Sequence, residues 1–309
     1  MMLDLRRMML LNDLAELGTV TAVAARRSIT SSAVSQQLRV LEEEAGAALF
    51  RRDGRTLRLT RSGEVLAEHV RHVLAAVDEA MTAVAATRDR LSGQIAVAAF
   101  NMAVPTLAAP MVRRLSAEEP DLRIEVRQEE TGAALRLLRQ REIDIAITCH
   151  YDFLGDDGFG GMISEILLVE PLVLMAPTET HLRIRKFGLA ALADSPWVTG
   201  APHSGLDVAV LRAGERAGFT PQIKHRLLGA QNMCDLAATE TASAIVPRLS
   251  IPAHLESLIV PDMNLDNRTI RAVVRPGRQK DPGIAAILQT LRSIAASALP
   301  APDSLSAAS

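Results

Sequence analysis

Lysine is almost missing from this chain of 309 residues: Lys186, Lys224 and Lys280 stand against 31 arginines. Aromatic residues are 3% of the total, with one tryptophan and one tyrosine, and cysteine occurs only as Cys149 and Cys234. Two cysteines so far apart exclude a disulfide framework and a CxxC metal site, and reduced thiols are expected. No apolar run reaches the ~18 residues that a spanning helix needs. The amino-terminal MMLDLRRMMLLNDL is interrupted by Asp4, Arg6 and Arg7, unlike a secretory signal, so a cytoplasmic protein with no membrane partner is expected. The formal net charge is −2, so a nucleic-acid or membrane function has to come from local asymmetry.

Chemical motifs are also scarce. No GxGxxG follows a strand-like run, and neither a GxxxxGKS/T loop nor a GxSxG elbow occurs. The run GDDGFGG, residues 155–161, lacks the strand-then-helix context of those chemistries. Cys149 and His150 are adjacent, but neighbours along a strand point to opposite faces, which argues against a catalytic dyad. The reading is therefore not an enzyme, with no catalytic residue, metal ligand or cofactor assigned. The rivals are a Rossmann-like or α/β-hydrolase enzyme in residues 93–298 and thiol sensing at Cys149.

What is present is strongly patterned. At 48% hydrophobic content the chain can fill about two domains of ~150 residues. Residues 4–17 carry Leu5, Met8, Met9, Leu11 and Leu14 at helical spacing and stop at Gly18. Thr19 or Thr21 can cap a short helix through Arg27, and after Ser28-Ile29-Thr30 the stretch SSAVSQQLRVLEEEAG, residues 31–46, has helical spacing again. Two short helices across a three-residue turn make a helix-turn-helix. Asp53-Gly54, between short runs that alternate through Thr56 to Leu59, signals a hairpin. From about Arg61 to Leu91 a long helix is predicted, and Leu66, Val70, Val73, Val77, Ala80 and Val84 step by 4, 3, 4, 3, 4. That heptad implies a partner helix, either a second copy or a helix of the same chain.

Beyond Gly93 the texture alternates strand and helix. IAVAAF (95–100), LRIEVRQ (122–128) and IDIAITC (143–149), separated by helices, predict a parallel sheet covered on both faces. A second series follows in LLVEPLVLMA (167–176), WVTG (197–200), QIKHRLL (222–228) and ASAIVP (242–247), with helices near 188–193, 206–217 and 231–239. TIRAVVR (269–275) and a helix over 283–299 close the domain. The fold class is α/β with an α-rich amino-terminal head.

The stretch 31–46 has two faces. Val34, Leu38, Leu41 and Ala45 form one stripe, while Ser32, Gln36 and Arg39 form another about 200° away. Hydroxyl, amide and guanidinium groups near a helix N-terminus are the groups that read base edges and hold phosphates. Thr30, Ser31 or Ser32 can cap the helix, and Ser35 lies between the stripes. Over residues 26–61, eight arginines face four carboxylates, Glu42, Glu43, Glu44 and Asp53, leaving +4. Arg51, Arg52, Arg55 and Arg58 gather around the Asp-Gly turn as a basic wing. Glu42, Glu43 and Glu44 would be repelled by phosphate, so they should sit where the helix leaves the groove.

The run GTVTAVAARRSITSSAVSQQLRVLEEEAGAALFRRDGRTLRLTRSGE, residues 18–64, closely resembles the signature of LysR-type transcriptional regulators. The resemblance implies a winged helix-turn-helix over 1–60, a linker and dimerisation helix over 61–92, and a two-lobed effector-binding domain like periplasmic binding proteins over 93–300. Lobe I would take 93–163 and 268–300, and lobe II 164–267. It also implies double-stranded DNA as partner, homodimers that pair into homotetramers, and a small-molecule effector. Thr30, Ser31, Ser32, Ser35, Gln36 and Arg39, with Arg51, Arg52, Arg55 and Arg58, would contact DNA; Leu66, Val70, Val73, Val77 and Val84 would form the dimer helix.

The effector would lie between the lobes where strands end and helices begin, which suits a small anion. Those edges are Phe100-Asn101-Met102, Glu130-Thr131-Gly132, Cys149-His150, Thr199-Gly200-Ala201, and His203 with Ser204. One departure stands out: ATETASAIVP, residues 238–247, puts Glu240 and Ala242 where the family commonly has glycines. That predicts a reshaped loop, a narrower cleft and a carboxylate opposing an anionic ligand.

Overall fold

The structure is a computed structural model describing residues 2–53, 56–87, 90–155, 158–263 and 265–298; for Arg52, Asp53 and Thr56 it describes the backbone alone. The chain divides into two compact units, Met1–Thr87 and Arg88–Ser309.

In the first unit, α1 (Leu5–Leu17) begins at Asp4, whose carboxylate accepts the N–H groups of Arg6 and Arg7, and ends at Gly18 with φ 72°. Thr19 caps α2 (Val20–Arg27), and Thr30 caps α3 (Ser31–Ala45) by accepting the Ala33 N–H at 3.1 Å. Each cap satisfies one of the donors that a helix start leaves orphaned. β1 (Phe50–Asp53) and β2 (Thr56–Leu59) pair antiparallel with Asp53 opposite Thr56, and the Gly54 of the expected Asp-Gly turn, like Arg55, lies outside the described residues. Met8, Leu11, Leu14, Val23, Val34, Leu38, Leu41 and Leu49 form one buried core.

The long helix α4 runs from Arg61 to Ala85, capped by Thr60, and stops earlier than its predicted end at Leu91. The Thr87 hydroxyl donates to the Val84 carbonyl at 2.8 Å, which satisfies a terminal carbonyl in place of another turn. The first turn of α4 lies so close to the preceding chain that a Cβ on Gly63 would overlap the Leu49 carbonyl oxygen. Ala67, Val70 and Leu74 are buried in the core of the head.

In the second unit the strands are β3 (Gly93–Ala99), β4 (Leu122–Gln128), β5 (Ile145–Tyr151), β6 (Ile163–Met175), β7 (Pro196–Thr199), β8 (Gln222–Arg226), β9 (Ser243–Pro247) and β10 (Asn267–Val274). The helices are α5 (Ala109–Glu118), α6 (Thr131–Arg139), α7 (His181–Phe187), α8 (Gly205–Arg216), α9 (Ala230–Ala237) and α10 (Pro282–Ala298). The sheet order is β4-β3-β5-β10-β6-β9-β7-β8.

Parallel trios β4-β3-β5 and β9-β7-β8 follow the two strand-helix series, but β10 is antiparallel to both β5 and β6, so the sheet is mixed rather than parallel. β6 is the shared strand. It pairs with β10 over Ile163 to Pro171 and with β9 over Leu172 to Met175. Its pairing partner thus changes between Pro171 and Leu172, inside one strand. A strand can serve two sheets because its pairing edges are used at different points along its length.

Two further differences have local causes. α5 is entered through a π-helical turn over Val104–Ala108, where Pro105 has no N–H to give to the helical ladder. Glu240 does adopt positive φ, at 56°, despite being no glycine. Its carboxylate accepts both the N–H of Thr178 at 3.0 Å and the Thr178 hydroxyl at 2.9 Å, and these two bonds offset the backbone strain. The loop thus keeps the left-handed turn, and the Glu240 charge is directed to Thr178, correcting the expectation that it opposes a ligand.

Candidate nucleic-acid interface and effector cleft

On α3, Val34, Leu38 and Leu41 are buried, and Ser32, Gln36 and Arg39 are exposed. Among the described residues neither Gln36 nor Arg39 makes a side-chain hydrogen bond, so both keep their donors for an outside partner. The hydroxyls are partly engaged: Thr30 shares a bond with Ser32 at 2.9 Å, and Ser35 donates to the Ser31 carbonyl at 2.9 Å. Each still has acceptor capacity.

The acidic run is mostly turned inward. Glu42 accepts the backbone N–H groups of Leu49 at 2.8 Å and Phe50 at 3.0 Å, fixing the start of the hairpin. Glu44 pairs with the guanidinium of Arg7, which holds its carboxyl below the usual range. Only Glu43 is exposed. Two basic residues are likewise internal: Arg26 and Arg27 bind Asp13 at 3.0 and 2.5 Å, and Arg26 also meets Glu16 at 3.4 Å. The excess of +4 therefore overstated the charge available to DNA, because Asp13 and Glu16 lie just outside its window.

The wing places Arg51 directly across from Arg58, both exposed. Directly opposed residues of an antiparallel pair share a face, so the two guanidinium groups lie on the same side of the hairpin. For Arg52 only the backbone, in β1, is described, and Arg55 lies outside the described residues.

The heptad on α4 splits into two parts. Val70 is buried in its own head and Leu66 is half-buried against it, which removes Val70 from the dimer stripe. The reason is helical drift: a 3.5-residue repeat walks around a straight 3.6-residue helix, so its first members face the head and its later ones leave it. Val73, Val77, Met81 and Val84 are 41, 36, 58 and 58% exposed.

In the second unit, the expected cleft residues fall into pairs. Thr131, at the start of α6, accepts the Cys149 N–H at 3.1 Å and donates to the Cys149 carbonyl at 3.2 Å, locking α6 to β5. Asn101 is exposed and lies against the loop before α9, where a Cβ on Gly229 would stand 3.0 Å from its Nδ2. Met102 and His150 are half-buried. His203 takes a left-handed backbone, φ 64°, as its N–H donates to Asp207 Oδ2 at 2.9 Å; Ser204 caps α8. Among the described residues the buried Thr199 hydroxyl has no hydrogen-bond partner.

The profile for "Bacterial regulatory helix-turn-helix protein, lysR family" matches residues 5–64, and that for "LysR substrate binding domain" matches residues 88–296. The chain belongs to the LysR family. It is a LysR-type DNA-binding transcriptional regulator with a substrate-binding domain, and its family is one of regulators rather than enzymes. Among similar proteins, the regulator DgdR of Burkholderia cepacia is 28% identical over 78% of this chain and 77% of its own length. CbbR of Rhodospirillum rubrum is 23% identical over 94% and 96%. Among solved structures, ArgP from Mycobacterium tuberculosis covers 95% of this chain and 98% of its own, at 24% identity and a TM-score of 0.61. A full-length OxyR variant from Pseudomonas aeruginosa reaches the same TM-score at 18% identity, covering 94% and 95%.

Sequence reasoning about this LysR-type regulator missed its buried charges. Arg268, opening β10, binds Glu170 of β6 through Nε at 2.9 Å and through Nη2. The other Glu170 oxygen accepts the Leu249 N–H at 2.9 Å. Arg268 is paired in register with Glu170 on one side and Tyr151 on the other, and it stacks 5.2 Å over the Phe100 ring. Burial works against the Arg268 charge, but Glu170 and its other neighbours leave its pKa raised. In lobe II, Arg226 binds Asp207 at 2.6 Å and the Gly200 carbonyl at 3.2 Å, pinning the loop that carries His203 and Ser204. A lone charge inside an otherwise apolar run, as at Glu170 in LLVEPLVLMA, was the available signal; Arg268 shares its strand with Arg271 and did not stand out.

Neither cysteine has the setting of a reactive thiol. Burial raises Cys149 against an opposing effect of Arg268, and pushes Cys234 up to about 12. Among the described residues no group of three or more His, Cys, Asp or Glu could hold a metal, and no helix is long and apolar enough to cross a membrane.

Proposed function

We propose that this LysR-type regulator binds operator DNA as a homodimer, dimers pairing into tetramers, and that a small molecule in the cleft between its lobes changes those contacts. Thr30, Ser31, Ser32, Ser35, Gln36 and Arg39 face base edges and adjoining phosphates; Arg51, Arg52, Arg55 and Arg58 hold the flanking backbone. The observation that carries this reading is the division on α3: Gln36 and Arg39 are exposed and unspent, while Glu42 and Glu44 beside them are turned into the protein.

Dimerisation uses the exposed side of α4, where Val73, Val77 and Val84 line up with Met81 beside them. An apolar stripe on a helix is self-complementary and suits a second copy across a two-fold axis. The effector meets Asn101, Met102, Thr131, Cys149, His150, Thr199, His203 and Ser204. The partnerless Thr199 hydroxyl supports a polar ligand, since a buried polar atom without a bond costs about 1–3 kcal/mol.

The test is a gel-shift titration of the full chain against the DNA upstream of its own gene, over a range of salt and with small acids, sugars and aromatic compounds added. A salt-sensitive, sequence-selective shift is expected. Equal binding to random DNA under every condition would refute the reading.

A further inference from the structure

His69 stands within the exposed apolar stripe of α4. With Val73 as origin and about 100° per residue, Leu66, Val77 and Val84 lie about 20–40° to one side, and Ala80 and His69 about 20° and 40° to the other. His69 is exposed, as is His72, whose ring meets it edge-on with centroids 6.1 Å apart. From Val65 to Val84 that half of the helix carries no Asp, Glu, Lys or Arg. Measured from Val73 the charged groups of this stretch lie more than about 100° away: Glu68 and Glu79 on the flank that also holds His72, about 80–100° around from His69, and Arg71 and Asp78 toward the back. Among the described residues no other element covers His69.

Because a homodimer seam is made of the same stripe twice, what faces His69 follows from the stripe itself. A second copy brings valine, leucine and alanine, its own His69 and His72, and Glu68 or Glu79 only at the rim. We propose that His69, flanked by His72, makes pairing through α4 sensitive to pH, the dimer holding the imidazole neutral and its protonation releasing the monomers. This rests on the homodimer reading above. Removing the ring from water into an apolar seam disfavours imidazolium, and no acid in the seam compensates it.

The sign follows from that preference. The bound state depresses the imidazole pKa, so seam stability is complete above histidine's ordinary value and is lost as pH falls below it. With one His69 per copy and an ordinary pKa of about 6.5, each site contributes roughly tenfold between about pH 7.5 and pH 5.5, so the dimer Kd rises by up to about 100-fold.

Sedimentation velocity of the full chain in a dilution series, at fixed ionic strength and these two pH values, tests it for the wild type, His69→Leu and His72→Asn. The wild-type Kd is expected to rise by one to two decades on acidification, His69→Leu by less than about threefold, and His72→Asn by an intermediate factor. A wild-type dimer with a pH-independent Kd, or His69→Leu with the wild-type dependence, overturns the proposal while leaving the homodimer standing. A wild-type monomer at pH 7.5 overturns the homodimer and the proposal with it. Far-UV circular dichroism at both pH values distinguishes dissociation from unfolding; helix loss shared by wild type and His69→Leu counts against the proposal.

Discussion

The outer face of the head and the sheet of the effector unit treat charge in opposite ways. In the head, Gln36, Arg39 and Arg51 are left outside, and the acids around them are drawn in by Arg7 and by the backbone of Leu49 and Phe50. In the effector unit three arginines of the sheet and its edge are spent internally, Arg268 on Glu170, Arg226 on Asp207 and Arg275 on Asp144. A surface that reads a polyanion needs unpaired donors, whereas a mixed sheet bent between two lobes needs each buried charge neutralised. Similar residue types therefore serve recognition in one unit and shape in the other.

Four experiments break or sharpen that contrast. Arg268→Ala leaves Glu170 buried and unpaired and should destabilise the effector unit by about 3–5 kcal/mol. Urea unfolding followed by the fluorescence of Trp197, the only tryptophan and fully buried in lobe II, reads this directly. A loss below about 1 kcal/mol would show the pair to be dispensable. In the head, Gly63→Ala forces a Cβ into the Leu49 carbonyl and should cost about 1–3 kcal/mol, seen as a lower melting temperature of the head with an unchanged effector unit.

Gln36→Ala should lower affinity for the operator by about 1–3 kcal/mol while sparing random DNA, and Arg51→Ala should weaken both alike and reduce the salt slope by about 1. Equal losses for the two variants on both DNAs would remove the division between base reading and backbone holding. The smallest effect concerns Glu44. Arg7 depresses its pKa, so the pair adds stability above the ordinary carboxylate range that is lost as pH falls through the lowered value. Glu44→Gln should therefore flatten the acid limb of the head's stability profile; an unchanged limb would show that water already screens this half-buried pair.

Legibility differed along the chain for physical reasons. The helix-turn-helix could be read residue by residue, since Thr19, Thr30, Gly18 and Gly46 act on neighbours within one turn, and α1 to α3 appear where caps and apolar spacing place them. The strands of the second unit were legible as segments, but the antiparallel course of β10 and the sharing of β6 were not, because strand partners separated by about a hundred residues leave no periodic trace. Glu240 was misjudged because its left-handed turn is held by Thr178, far away in sequence. The heptad spacing on α4 is legible in the sequence, yet it could not show that Val70 is already covered by its own head.

Periodicity, capping and local charge pattern are properties of neighbouring residues, so the sequence alone determined the helix-turn-helix, the outward stripe of Ser32, Gln36 and Arg39, and the two strand-helix series. Which charges are left for DNA, where the sheet passes from one lobe to the other, and that Arg268 meets Glu170 beneath Phe100 were decided only in the tertiary structure. Each depends on groups that folding brings within a few ångströms from opposite ends of a domain, and burial then makes their pairing obligatory.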